Sequence, residues 1–287
     1  MEVHYSSKAN LEMLEREIFD DSLYSKHGIE PNEGDCIFDV GANIGLFVMF
    51  VNQHLNDATV YSFEPIPDTY EILLRNVSVH NSLQLQMYNC GLSDKTGTAT
   101  FTHYPKTSVC STMFPQGSPA YVNNSRQFVL GEIRKFNPIL KTLVDRTPRL
   151  AWWPITEMVR RYYRSAISVE CQLRTISDVI DEHDIQQIDY LKVDTEGAEM
   201  HVLNGIRSEH WPIVKQAVIE VHEGKPALRQ VLELLEINGF QTIVEQPCKE
   251  RDHLNMVYAT RQRSPNLESA NDSCFAVKRR FQRPYPV

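Results

Sequence analysis

The chain has no run of about eighteen apolar residues, so it offers no membrane span. Its first residues, Met1-Glu2-Val3-His4-Tyr5, lack the basic and apolar regions of a secretory signal, which sets the expectation of a cytoplasmic protein. Excess positive charge is also missing. The 287 residues carry a net charge of −8, which argues against non-specific nucleic-acid binding as the main task. The six cysteines (Cys36, Cys90, Cys110, Cys171, Cys248 and Cys274) show no paired spacing. Several lie in or beside strand-like runs, so buried free thiols are expected rather than disulfides or zinc ligands. Two marks of nicotinamide enzymes, G-x-G-x-x-G and a Tyr-x-x-x-Lys pair, do not occur. What remains has the composition of a globular protein, long enough to bury about three quarters of its unfolded surface.

The most informative stretch present is Ile37-Phe38-Asp39-Val40-Gly41-Ala42-Asn43-Ile44-Gly45-Leu46-Phe47. It reads as a buried strand, a glycine turn and the start of a helix with Leu46, Phe47, Phe50 and Val51 at helical spacing. Glycine lets the backbone turn sharply and lets a ligand lie against it, while the helix points free N–H groups back at the turn. The spacing G-x-x-x-G lacks the middle glycine that admits a pyrophosphate. Asp39, two residues before the turn, suits a cation better. Both features favour S-adenosylmethionine, which has a sulfonium and no phosphate. A second strand, Thr59–Phe63, ends at Glu64-Pro65, about twenty residues on, where such folds place the carboxylate for ribose hydroxyls. Asp68 is then expected to cap a helix carrying Ile72, Leu73 and Val77. A third strand, Leu83–Tyr88, runs into Asn89–Asp94, where main-chain groups near Cys90 and Gly91 are candidates for meeting the base.

Upstream, Leu11, Leu14 and Ile18 suggest a leading helix over residues 8–20. Residues 105–166 break the alternation of strand and helix. They carry helical stretches at 126–144 and 155–164, and a basic bias that includes Arg160 and Arg161 within an acidic protein. We expect a helical lid there, facing an anionic substrate or acidic partner. Strands follow at Ile167–Leu173 and Ile188–Asp194, the second ending in an acid at the carboxyl edge of the sheet. Gln216–Gly224 is a further strand whose polar end brings Glu220, His222 and Glu223 towards Asp194 and Glu196. Histidine is the side chain most easily poised as a base near neutral pH. A helix at 227–237 and two final strands (240–244 and 254–260) should close the sheet with an antiparallel pair. Residues 1–261 then form one domain, and 262–287 read as a tail or linker.

The pieces Phe38-Asp39-Val40-Gly41-Ala42-Asn43-Ile44-Gly45, Phe63-Glu64-Pro65, Asn89–Asp94, Ile188–Glu199 and Glu220-Val221-His222 resemble the FkbM-type methyltransferases. The resemblance implies a Rossmann-like class I methyltransferase α/β fold. Its sheet has seven mostly parallel strands and a reversed C-terminal hairpin, here with a helical lid insertion. It also implies methyl transfer to a hydroxyl. The candidate cofactor set is Asp39, Gly41, Asn43, Gly45, Glu64, Pro65, Cys90, Gly91 and Asp194, with Asp194 facing the methionine amino group. The candidate catalytic set is His222 as base, with Glu196 or Glu223 orienting it. Asp194, Glu196 and Glu220 could instead hold Mg2+, a rival less favoured than a metal-free site. The acceptor implied is a small-molecule hydroxyl, polyketide-like and free or bound to an acyl carrier protein. Sugar or lipid hydroxyls are the alternatives within the class. A nicotinamide oxidoreductase and a non-catalytic binding domain are the alternatives outside it.

Overall fold

A computed structural model describes residues 3–78, 83–105, 111–113, 167–222, 224–247 and 254–261. The expected lid helices, Glu223 and the tail at 262–287 lie outside the described residues. Seven strands form the main sheet: β1 (Asp35–Val40), β2 (Ala58–Phe63), β3 (Gln84–Tyr88), β7 (Ile188–Val193), β8 (Val214–Val221), β9 (Gln241–Glu245) and β10 (Asn255–Thr260). Their order is β3-β2-β1-β7-β8-β10-β9, and only β10 runs antiparallel to its neighbours. This is the Rossmann-like sheet with a reversed last hairpin that was expected. The chain winds outward from β1 to β3, then crosses back to β7 on the other side of β1. The gap beyond the carboxyl ends of β1 and β7 is therefore a topological switch point, where open α/β sheets bind ligands.

Alternation along the strands supplies both faces of the core. Phe38, Leu191 and Ile219 pack on one side, and Ile37, Tyr190 and Val218 on the other. Helices α2 (Leu46–His54) and α3 (Pro67–Val77) follow β1 and β2. Helix α2 buries an unbroken run from Leu46 to Val51, because it lies between the sheet and the N-terminal segment. That segment begins with α1 (Lys8–Glu15) and continues as a π-helical turn over Arg16–Asp20, so the single helix expected at 8–20 is divided. Asp68 does not cap α3. Ile66 holds the N-cap position and Pro67 opens the helix, which leaves Asp68 inside the first turn. Helices α4 (Ile176–His183), α5 (Glu199–Asn204) and α6 (Gly224–Ile237) complete the layers. Thr175 starts α4 with a reciprocal capping box to Asp178.

A second, three-stranded sheet was not anticipated. In it β6 (Ile167–Arg174) pairs antiparallel with β5 (Gly97–His103) and parallel with the short β4 (Gly91–Leu92). The two ends of the insertion thus leave from adjacent strands. The described cysteines Cys36, Cys90 and Cys171 are free, and burial pushes their thiols up to about 12, 11 and 12, which keeps them protonated and unreactive.

Candidate active site

The glycine turn is built for close approach of backbone to backbone. Gly41 and Gly45 have φ of +80° and +86°, and Asn43 has +50°. The N–H groups of Gly41 and Ala42 both donate to the Phe63 carbonyl, at 3.1 and 3.0 Å, tying the turn to the end of β2. Glu64 is buried there. Its Oε2 accepts from Asn43 N at 3.0 Å and its Oε1 from Ile66 N at 2.9 Å. Burial pushes its carboxyl up to about 7, against the pull of those two donors. Two of a carboxylate's roughly four acceptor positions are thus used. The others, beside a positive-φ turn and the N-terminus of α2, fit the hydroxyls of a nucleoside-type cofactor.

Two expectations for the cofactor set change. Asp39 does not face open space. It is fully buried, and the cation opposite it is Lys192, its register partner on β7, with Nζ 3.0 Å from Oδ1. Lys192 Nζ also donates to the Gly41 carbonyl at 3.0 Å and stands 4.0 Å from Asp194 Oδ2. Asp39 therefore acts on the turn through Lys192, whose Nζ also bonds the Gly41 carbonyl. Cys90 and Gly91 are also turned inward. Gly91 pairs with Leu173, and a Cβ on it would lie 3.0 Å from the Leu173 side chain. The exposed neighbour is Asn89, whose Nδ2 donates to the Glu64 and Pro65 carbonyls at 2.9 and 3.1 Å.

The polar ends of β7 and β8 do converge. Asp194 N donates to the Val40 carbonyl at 3.0 Å, which sets Asp194 directly beside the glycine turn. The Tyr24 hydroxyl, from the N-terminal segment, lies 3.0 Å from Asp194 Oδ2 and 2.8 Å from Glu220 Oε2, one proton for two acceptors. Burial and the Asp194 charge push the Glu220 carboxyl up to about 8. His222 sits beyond Glu220. Its Nδ1 is 2.9 Å from Glu199 Oε1, and its Nε2 is 3.6 Å from both Glu196 Oε2 and Glu220 Oε1. Burial alone would lower the imidazole's pKa, but Glu196, Glu199 and Glu220 override it and hold it well above the usual value. Glu199, which opens α5, is thus the orienting carboxylate, with Glu196 farther away. Glu196 has φ of +52°, and its carbonyl accepts from Thr112 Oγ1 at 2.8 Å, so the described fragment 111–113 of the insertion lands on this loop.

Sequence reasoning missed Tyr24, Lys192 and the orienting role of Glu199. A lysine inside the apolar run Ile188–Val193 was a usable signal for Lys192, since buried lysines need a partner. Tyr24 gave none, because it belongs to a connection and acts across the whole chain.

A family model described as "Methyltransferase FkbM domain" matches residues 39–242. The 31-O-demethyl-FK506 methyltransferase FkbM of Streptomyces tacrolimicus is 33% identical over 244 residues, covering 85% of this chain and 87% of that protein. Methyltransferase sdnD of Sordaria araneosa is 30% identical over 265 residues, covering 89% and 92%. The AMB antimetabolite synthetase AmbE of Pseudomonas aeruginosa is 32% identical over 240 residues, 82% of this chain but 11% of that protein. A crystal structure of methyltransferase FkbM from Methylobacillus flagellatus KT aligns with 83% of this chain at 17% identity and a TM-score of 0.47. The chain spans 47% of that structure's length.

Proposed function

The chain belongs to the FkbM methyltransferase domain family, and from that premise we propose that it is an S-adenosylmethionine-dependent O-methyltransferase. Its acceptor is a hydroxyl of a small, polyketide-like natural product, free or held on a carrier protein. The observation that carries this reading is the meeting, at one switch point, of the glycine turn with the Asp194, Glu220 and His222 side chains. The likeness to the 31-O-demethyl-FK506 methyltransferase supports an oxygen acceptor on a small natural product.

Glu64 would hold the ribose, and the Gly41–Gly45 turn with the Asn43 backbone would line the path to the methionine end. When bound, the cofactor supplies a methyl on a sulfonium, whose sulfur leaves as a neutral thioether, so no acid is required. The chain's own task is to align the acceptor oxygen and remove its proton. Alignment of this kind is worth roughly 7–11 kcal/mol. The His222–Glu220 pair would take the acceptor hydroxyl's proton as that oxygen receives the methyl group. The pair serves rather than histidine alone: Nε2 stands 3.6 Å from both the Glu196 and the Glu220 carboxylates, whose charges favour a proton gained there. Glu199 keeps the ring oriented from Nδ1.

The test is mass-spectrometric detection of products heavier by one methyl group, from a panel of carrier-bound, sugar and free hydroxy acceptors. Release of S-adenosylhomocysteine is measured alongside. Failure to bind S-adenosylmethionine or S-adenosylhomocysteine by calorimetry would overturn the reading.

A further inference from the structure

We propose that Asp194, Glu220 and His222 form a binding site for one divalent cation of the Mg2+ or Mn2+ kind, at the carboxyl edge of β7 and β8. One ligand atom from each lies within 4.8 Å of the others. They arrive from two adjacent parallel strands, whose register is fixed by the pairs Val193 with Ile219 and Lys192 with Val218.

The outer contacts orient all three towards one point. Glu199 is buried and takes Nδ1 of His222 at 2.9 Å, which directs Nε2 inward. A carboxylate on the far nitrogen is the arrangement that fixes metal-ligating histidines. The Tyr24 hydroxyl engages Oδ2 of Asp194 and Oε2 of Glu220, leaving the other oxygen of each carboxylate outside its reach. Glu220 Oε1 is indeed the oxygen facing Nε2, at 3.6 Å. That separation is too long for a hydrogen bond. It is close to the roughly 3.0–3.4 Å between donors that share one small ion.

Charge points the same way. Asp194, Glu199 and Glu220 bring carboxylates to this corner, where His222 contacts Glu199 and Glu220, and Lys192, 4.0 Å from Asp194, holds Asp39 at 3.0 Å. One imidazole with two carboxylates is a hard-to-borderline donor set with no thiolate, which suits Mg2+ or Mn2+ and leaves positions for oxygen of water or acceptor. An ion there would take up the Nε2 and Glu220 lone pairs that the metal-free pair uses as base, and would instead lower the acceptor hydroxyl's pKa; that part rests on the methyl-transfer reading, and its binding does not.

The experiment is titration of Mn2+ into the full chain after EDTA treatment and desalting, followed by electron paramagnetic resonance. One Mn2+ per chain is expected, with nitrogen hyperfine coupling from His222. Asp194→Asn, Glu220→Gln and His222→Gln should each weaken binding at least tenfold, and His222→Gln should remove the coupling. No stoichiometric binding overturns the site, as does bound Mn2+ without nitrogen coupling in the unmodified chain, a readout that needs no variant to fold. Binding within twofold in all three folded variants also overturns it. S-adenosylhomocysteine affinity is measured on the same samples. Retained nucleoside binding without Mn2+ removes the metal site and leaves the proposed activity. Mn2+ binding without nucleoside binding supports the site and counts against the activity.

Discussion

Replacing Gly41 by alanine tests whether the glycine turn and the Asp194 loop touch as described. A Cβ on Gly41 would lie 1.7 Å from the Asp194 carbonyl oxygen, where real Cβ contacts start at about 3.0 Å. One of the two backbones must therefore move by about 1.3 Å, the difference of those distances. Neither is free to do so, because Asp194 N is bonded to Val40 O and Gly41 N to Phe63 O. Gly34 provides the control, since it has φ of +84° and nothing within 4 Å of its added Cβ. Gly34→Ala should cost only the left-handed backbone strain, about 1–2 kcal/mol. Gly41→Ala should add an overpacking cost of about 1–3 kcal/mol and abolish cofactor affinity as the turn is displaced. Gly45→Ala falls between them, because its Cβ meets the movable Val77 and Leu73 side chains at 3.2 and 3.4 Å. Guanidinium unfolding of the three variants gives the ranking, and calorimetry with S-adenosylhomocysteine gives the second readout. If Gly41→Ala loses no more than Gly34→Ala, within roughly 0.5 kcal/mol, the contact between the loops is not there.

Lys192→Met leaves the buried Asp39 without its cation and should cost about 3–5 kcal/mol at neutral pH, by urea unfolding. The loss should shrink in acid as Asp39 becomes protonated. A cost under about 1 kcal/mol would mean that the pair carries little charge. Glu64 links stability to pH. Its folded pKa of about 7 exceeds the ordinary 4.5, so the folded state holds that proton more tightly. The contribution is full below about 4.5 and is lost as pH rises through about 7. Glu64→Gln should remove this slope from the variant's profile, so that it appears as the difference between the two. An unchanged profile would contradict the burial of that carboxyl. For turnover, His222→Gln should lower kcat by about 10²–10⁴-fold. The wild-type rate should rise with pH through an apparent value near the 8 of the Glu220 carboxyl. A flat profile across that range, with methyl transfer itself rate-limiting, would remove the pair from the reaction.

The main sheet was legible because each strand carries its own local signal. Asp35–Val40 is a short β-prone run stopped by Gly41, and the two final runs separated by a short loop gave the antiparallel hairpin. After Tyr88 the strand at Ile167–Leu173 was legible but its partners were not: Gly91–Leu92 and Ile167–Arg174 pair across a long insertion, and nothing local encodes that partnership. The acids at the strand ends were readable for the same reason as the strands, since topology alone puts Asp194 and Glu220 on one edge. Their partners were not. Whether Asp39 faces a ligand or Lys192, and whether Glu196 or Glu199 holds His222, depends on side-chain reach over a few ångströms.

The Tyr24 hydroxyl joins residues 170 and 196 positions away, and the Tyr258 hydroxyl donates to the Leu23 carbonyl from 235 positions away. Contacts of such high order form slowly, because the loops they close must first be ordered. The N-terminal segment should therefore dock only after β7, β8 and β10 have paired. Until then Asp194 and Glu220 stand open to water, where two neighbouring carboxylates cost little. On that order the repulsion between Asp194 and Glu220 is incurred when the N-terminal segment docks and buries them, with the strands that carry them already paired.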